Sequence, residues 1–301
     1  LASLLCIAVY TQQFLNEQEY FEKTSQFCAA KRPNLERMVF EKAIGDSGSY
    51  GCELLMQELT VAEDANLLID EYADNSVAFV GLTEDASRDY VRQVLRERYR
   101  SYRATVPAYR TRELWYAPES WNPWTMLTSS FSHGDWSHLI GNLVFFYAFA
   151  AAVEVVIGSA AFFIVIVSMA FGTNVAYSLA MQHVADPLPT VGLSGIVMGM
   201  LALLAYLLPT AKIRCFYWFL IRIGTVAVSV WILALLYLGF DIYTLMTEEE
   251  LGGVNLVAHV SGGIMGLLLG PLFFRGRKRE VGILDRATRA ERRGSIGTQR
   301  W

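Results

Sequence analysis

Two stretches of the chain carry side chains that can perform acyl-transfer chemistry. Ser194 lies in the run V-G-L-S-G-I-V-M-G-M at 191–200, and His259 lies in A-H-V-S-G-G-I-M-G at 258–266. An imidazole beside a hydroxyl can act as general base toward it and later as general acid toward a leaving amine. The Gly-x-Ser-Gly spacing differs from the G-x-S-x-G elbow of soluble hydrolases. Because no acidic third member is evident, we predict a Ser194–His259 dyad.

Two further polar residues belong to the same set. His138 and Asn142 are four positions apart, so they share one face of a helix. Ionisable groups at membrane depth are costly and indicate a functional site by default. Packing is the alternative: small residues such as Ser194 let membrane helices approach, and a neighbouring hydroxyl could satisfy His259.

The composition indicates which elements must position these residues. The chain has 301 residues, of which 53% are hydrophobic, and its mean hydropathy is +0.31. These values indicate a membrane protein with a polar portion. We predict that residues 1–10 are the outer end of a truncated first transmembrane helix, with a signal-peptide remnant as the alternative. Residues 11–120, which are acidic, are predicted to form a folded extracytoplasmic insert.

The predicted insert has helical periodicity and two cysteines. Apolar spacing predicts helices over 53–70 and 84–102, the second capped by Thr83 or Asp85. Cys28 and Cys52 both fall in this external segment, where oxidation is permitted. We therefore predict a disulfide between them, with two buried free thiols as the alternative.

Five apolar blocks follow the insert, and with the partial first helix they make six spans in an all-α polytopic membrane protein. The blocks are Leu139–Gly158, Ala160–Met181, Val191–Leu208, Ile223–Phe240 and Val254–Phe274. The 209–222 connection and the 275–301 tail are basic, which places both in the cytoplasm. The spans at Leu139, Val191 and Val254 then all enter from outside, so their polar residues lie in one outer layer.

Glycines give two of these spans smooth faces. Gly195 and Gly199 follow Ser194, and Gly262 and Gly266 follow His259. Helices with such faces can approach closely, which would bring a histidine nitrogen within hydrogen-bond distance of the serine oxygen. We expect the segment 241–253, which leads into the last span, to be a loop that covers the entrance to the site.

Three motifs together resemble the rhomboid intramembrane serine proteases. The first reads H-x-x-W-x-H-x-x-x-N, the second G-x-S-G-x-x-x-G and the third A-H-x-x-G-x-x-x-G. Their residues are His133, Trp136, His138 and Asn142; Gly192, Ser194, Gly195 and Gly199; and Ala258, His259, Gly262 and Gly266. The family usually has a Trp-Arg pair before the first motif, whereas this chain has Trp124-Thr125.

The resemblance implies a fold and a set of roles. It implies a rhomboid-like bundle of six transmembrane helices, with a catalytic core at 121–274. Ser194 would be the nucleophile and His259 its base. His138, Asn142 and the backbone N–H of Ser194 would form the oxyanion hole, and Gly192, Gly195, Gly199, Gly262 and Gly266 would serve helix packing.

The sequence thus predicts a serine-type intramembrane endopeptidase that cleaves transmembrane protein substrates. The alternative is a catalytically silent rhomboid-like protein that binds transmembrane clients. A solute transporter would be expected to have polar or discontinuous helices near the middle of the membrane instead. We expect no cofactor, metal or nucleic acid, and we expect contact with membrane lipids through the basic tail. The expected location is a bacterial inner (plasma) membrane with a cytoplasmic C-terminus.

Overall fold

The computed structural model describes residues 1–185, 187–219, 222–247 and 254–284. The chain forms two compact units. The insert unit is Thr11–Glu113, and the membrane unit combines Leu1–Tyr10 with Leu114–Trp301. The unit boundaries fall within two helices, after Tyr10 and after Glu113.

Six helices make up the first 114 residues. They are α1 (Ala2–Ala29), α2 (Asn34–Ile44), α3 (Ser49–Val61), α4 (Ala65–Asp74), α5 (Glu84–Thr105) and α6 (Arg110–Leu114). The helix predicted over 84–102 is confirmed as α5, and Thr83 caps it by accepting a hydrogen bond from the Ala86 N–H. The single helix predicted over 53–70 is wrong. Asp64 caps a new helix by accepting from the Asn66 N–H, which separates α3 from α4.

Large side chains and one covalent link stabilise the insert unit. Its buried cluster includes Phe40, Leu55 and Tyr102. Cys28 at the end of α1 forms a disulfide with Cys52 on α3. Burial and then the Glu58 carboxylate raise the pKa of Tyr72 to about 12.

The membrane unit continues with a short helix, three longer helices, a hairpin and two more helices. These are α7 (Pro123–Thr128), a 3-10 turn (Ser129–Phe131), α8 (Trp136–Ile157), α9 (Ser159–Met181), α10 (Ser194–Leu207), β1 (Lys212–Phe219), β2 (Arg222–Ser229), α11 (Val230–Thr247) and α12 (Leu256–Phe273). Residues 275–284 are also helical.

Four of the described helices are long and apolar enough to cross a membrane: α8, α9, α11 and α12. Helix α10 has 14 residues and is shorter than these four. It is also the most enclosed, with every residue from Gly195 to Leu204 buried. An apolar helix of this length is typical of a buried core helix. The fold is therefore a helical polytopic membrane bundle around α10, and the count of six spans stays a prediction.

The fourth predicted span is wrong at both ends. Residues 223–229, expected to begin this span, belong to strand β2, which pairs antiparallel with β1. This part of the chain is rich in aromatic and β-branched residues, which favour strands. Helix α11 begins only at Val230 and extends to Thr247. Residues 241–247, predicted to start a loop, are thus helical, and 248–253 lie outside the described residues.

Glycines bring α10 and α12 into backbone contact. A Cβ atom added to Gly262 would overlap the carbonyl oxygen of Gly195, and one added to Gly266 would overlap that of Gly199. A Cβ on Gly195 would lie 3.0 Å from the carbonyl oxygen of Ala258. No side chain separates the helices along this line, so the residues beside these glycines lie close to the opposite backbone.

Candidate functional site

Ser194 is the first residue of α10, rather than the fourth residue of a span that starts at Val191. The helix cannot start earlier because Gly192 has φ +122°, outside the helical region. Leu193 is the N-cap and offers no side-chain hydrogen bond to the first turn. The first backbone N–H groups of a helix have no intrahelical acceptor. The N–H of Ser194 is therefore available to bind a negatively charged oxygen.

The backbone at Gly192 lies close to two side chains of α8. A Cβ added to Gly192 would lie 2.8 Å from Nε2 of His138 and 3.7 Å from Nδ2 of Asn142. Gly192 lies in the loop before α10, and its predicted role in helix packing stays a prediction. Its positive φ and missing side chain let the Ser194 loop approach His138 and Asn142.

Asn142 presents an unused donor at this place. Its side chain is buried, and Nδ2 has no hydrogen-bond partner among the described residues. Buried polar groups in folded proteins usually have a partner, so an unpaired amide indicates a place for a ligand atom. Asp135 fixes the start of α8 by accepting from the His138 N–H at 2.8 Å.

His259 lies on α12 and contacts a carboxylate that was not among the predicted site residues. Its Nδ1 is 3.0 Å from Oδ2 of Asp241 on α11. Both side chains are largely buried, with 12% and 10% of their surface exposed. The second nitrogen, Nε2, is buried and has no hydrogen-bond partner in the described parts of the chain. The predicted hydrogen bond between His259 and Ser194 is therefore not formed in this structure.

Several contacts nevertheless hold Ser194 and His259 on adjoining segments. Gly195 follows Ser194 and Ala258 precedes His259, and a Cβ added to Gly195 would lie 3.0 Å from the Ala258 carbonyl oxygen. Asn255 caps α12 by accepting from the Ala258 N–H, and it donates to Thr190 in the loop before Ser194. Catalytic hydrogen bonds are often long in resting enzymes and tighten when substrate binds. The unpaired Nε2 is compatible with such a state.

A small polar cavity adjoins Ser194. Its lining includes Ser129, Thr173, Asn174, Ser194 and Asn255. The volume open to the centre of a water-sized sphere is about 20 Å³. About 10–15 Å³ by this measure holds one water molecule, so the cavity has room for water beside the serine.

The ring of His133 packs edge-on against the ring of His138. His133 is fully buried, and its ring centroid lies 5.2 Å from that of His138. Burial, and then the neighbouring His138, lower the pKa of His133 to about 4. The Trp136 ring of the same motif packs edge-on against Tyr10 at 4.9 Å.

Two other polar residues, Glu154 and Thr125, make local hydrogen bonds. Glu154, near the end of α8, accepts a hydrogen bond from Ser159 Oγ at 2.8 Å. Thr125, which stands where the resemblance expects Arg, donates to the Asn122 carbonyl at 3.2 Å within the start of α7. Among the described residues no group of three His, Cys, Asp or Glu could hold a metal ion.

One sequence signal could have revealed Asp241. It is the only ionisable acidic or basic residue in the 18 residues of α11. A lone carboxylate in an apolar helix indicates a functional site with a partner. This signal was hidden because the predicted fourth span ended at Phe240, which put Asp241 in a loop.

Comparison with known proteins agrees with the three motifs. The family model for the rhomboid domain matches residues 120–276. A similar curated protein is "Rhomboid protein 1, mitochondrial" from Saccharomyces cerevisiae, which is 26% identical over 149 residues. That alignment covers 48% of this chain and 40% of the yeast protein, so the chain matches less than half of its relative's length.

Proposed function

This chain belongs to the rhomboid family, and we propose that it is a serine endopeptidase that works inside the membrane. Its substrates would be other membrane proteins, cut in or near their transmembrane segments. The four membrane-length helices and the family make it an integral multi-pass membrane protein. The proposal therefore concerns the activity and the substrates.

The observation that carries the proposal is the position of Ser194 at an uncapped helix start. The hydroxyl lies beside free backbone N–H groups, and the preceding glycine contacts His138 and Asn142. The backbone N–H of Ser194, the unpaired Nδ2 of Asn142 and the His138 ring thus supply several possible donors near the Ser194 hydroxyl. They are suited to an oxygen that becomes negatively charged.

The first half of the reaction would acylate Ser194. Its Oγ attacks the substrate carbonyl carbon while Nε2 of His259 takes the hydroxyl proton. The tetrahedral intermediate then collapses, the carbon–nitrogen bond breaks, and the same proton passes to the leaving amine. The products of this half are an ester on Ser194 and a released amine.

Three donors would stabilise the negatively charged oxygen of the intermediate. They are the backbone N–H of Ser194, Nδ2 of Asn142 and a ring nitrogen of His138. Loss of one such donor typically lowers kcat by about 10²–10³-fold. The positive end of the α10 dipole acts in the same direction.

Water would complete the second half. The polar cavity beside Ser194 has room for a water molecule. His259 Nε2 takes a proton from this water, whose oxygen attacks the ester carbon. The acyl–oxygen bond breaks, and Ser194 regains its proton as the carboxyl product leaves.

We place the active layer at the outer membrane face, with the basic 209–222 connection and the 275–301 tail on the inner side. The tail would contact anionic lipids. A bacterial inner membrane is our first choice. A mitochondrial membrane is the second, because the yeast relative is named as a mitochondrial protein.

A silent rhomboid-like protein is the second candidate function. The observation that favours it is the absence of a hydrogen bond from His259 Nε2 within the described chain. Such a protein would hold transmembrane clients without cutting them.

Cleavage in proteoliposomes tests the proposal. The purified protein is reconstituted with a transmembrane substrate carrying small residues near its outer end, and fragments are identified by mass spectrometry. Wild type and Ser159→Ala should cut it, whereas Ser194→Ala should lose at least about 10³-fold. Asn142→Ala should lose about 10²–10³-fold in kcat. Binding of the substrate without any cut by folded wild type would favour the silent protein.

A further inference from the structure

Within the described parts of helices α8 to α12, the contact between Asp241 and His259 is the only one between an acidic and a basic side chain. Oδ2 of Asp241 lies 3.0 Å from Nδ1 of His259, and Asp241 is 7% exposed. The pair joins two helices across 18 positions of sequence. The contact is therefore a tertiary feature of the bundle and not a local turn.

A carboxylate at this place needs a reason beyond stability. Neighbouring α11 side chains such as Leu236 and Phe240 are apolar and point outward, with 60% and 68% exposure. Charged groups in a membrane helix are costly, and burying an ion pair is often no better than burying two apolar side chains. The described part of α12 has no other ionisable residue besides His259.

The contact with Asp241 determines which ring nitrogen of His259 carries the proton. A carboxylate can only accept a hydrogen bond, so Nδ1 must carry the proton. Nε2 then has a free lone pair, and it is the ring nitrogen that is buried without a hydrogen-bond partner among the described residues. A base that must take the Ser194 proton requires this tautomer.

We infer that Asp241 is a positioning residue that converts the Ser194–His259 pair into an Asp–His–Ser triad. This inference rests on the proposed function. Asp241 orients the His259 ring, holds the proton on Nδ1 and stabilises the imidazolium that forms when Nε2 takes the serine proton. The carboxylate keeps its charge throughout, and the transferred proton moves only between Oγ, Nε2 and the leaving amine.

The test uses Asp241→Asn in the full-length protein. The amide matches the carboxylate in size, but it can donate as well as accept, so the preference for one tautomer is lost. Glu154→Gln is the matched control, because it makes the same chemical change in α8, where Glu154 bonds to Ser159. Folding of both variants is compared with wild type by circular dichroism and thermal unfolding in detergent.

The steady-state kinetics of cleavage distinguish a residue that positions His259, which changes kcat, from one that binds substrate, which changes KM. For Asp241→Asn we expect kcat to fall by about 10²–10⁴-fold while KM changes less than about threefold. Glu154→Gln should keep the wild-type kcat. A purely structural role would reduce the amount of folded protein and leave kcat per folded molecule unchanged.

A second readout does not depend on activity. The chain has four histidines, so selective ¹⁵N labelling gives a simple ring-nitrogen spectrum, assigned with His259→Gln. In wild type we expect the His259 proton on Nδ1. In Asp241→Asn we expect a mixture of the two tautomers.

Two outcomes overturn the inference: a wild-type proton on Nε2, or an Asp241→Asn kcat within about threefold of wild type. The second would leave the proposed protease standing with a dyad. If wild type neither cleaves nor binds a serine probe, the proposed function fails, and the tautomer still decides whether Asp241 positions His259. If Asp241→Asn does not fold, the wild-type spectrum gives the answer.

Discussion

The insert unit and the membrane unit use charged side chains for different ends. In the insert unit, Arg92 contacts three carboxylates on α4 and α5, and Arg98 pairs with Glu36. In the described parts of helices α8 to α12, the one comparable pair is Asp241 with His259. Exposed pairs are worth about 0–1 kcal/mol each, so the insert can carry many at little cost or gain. A single buried pair in an apolar bundle has a larger cost, and the role that we propose for Asp241 in positioning His259 would account for it.

The two units also differ in how they pack. The insert core is built from large side chains such as Phe40 and Tyr102 and is joined by a disulfide. Helices α10 and α12 meet through glycines instead. In water, burying large apolar side chains drives folding, whereas in lipid close backbone packing must provide the stability. Variants that destabilise the insert unit should therefore do so for a different physical reason than variants that destabilise the membrane unit.

The largest effect is expected from Gly262→Ala. The new methyl group would overlap the Gly195 carbonyl, so the backbones must separate, and the cost should reach about 3 kcal/mol or more. Gly239→Ala in α11 is the control, because its Cβ would have nothing within 4 Å. Thermal unfolding in detergent should show a large loss for the first and none for the second. Equal stability of the two variants would disprove the backbone contact.

The next effect concerns the disulfide. Removing it with Cys28→Ser and Cys52→Ser frees a loop of 24 residues and should cost the insert about 3 kcal/mol. Hydrogen exchange should accelerate in α2 to α5, while cleavage by the membrane unit persists. Cys215→Ser, which removes a free thiol from β1, should change neither. Unchanged exchange in the double variant would show that the bond adds no stability.

A smaller effect is expected from acid. His133 has a pKa of about 4 when folded and 6.5 when exposed, so the unfolded chain takes up its proton first as the pH falls. Its contribution is complete above pH 6.5 and is lost between pH 6.5 and 4. From about pH 7.5 to about pH 5 the loss should be about 2 kcal/mol.

His133→Gln should flatten this dependence, since glutamine does not titrate. His183→Gln, at an exposed position, should keep the wild-type slope. Unfolding midpoints measured across this pH range decide the matter. A wild-type slope in His133→Gln would mean that another group titrates.

Much of the membrane unit could be predicted because periodicity and motif spacing are local. The helices that carry His138, Ser194 and His259 begin within three residues of their predicted starts. The hairpin before α11 was missed because a run of β-branched and aromatic residues looks like either a strand or an apolar helix. That error moved the predicted helix end to Phe240 and hid Asp241.

The finer features of the site depend on tertiary structure. Nothing in the spacing of Gly192 shows that its φ is positive or that it contacts His138. The pairing of Asp241 with His259 depends on how α11 packs beside α12. The Cys28–Cys52 pairing was predictable only because the segment 11–120 contains two cysteines and no others.

The most direct test of the central claim is labelling of the detergent-purified protein with a fluorophosphonate probe. Such probes react with activated serines, and the modified peptide is identified by mass spectrometry. We predict that wild type is labelled on Ser194, and that Ser194→Ala and His259→Ala both abolish the signal. Folded wild type that is not labelled, or a label that persists in Ser194→Ala, would contradict the assignment of Ser194 as the nucleophile.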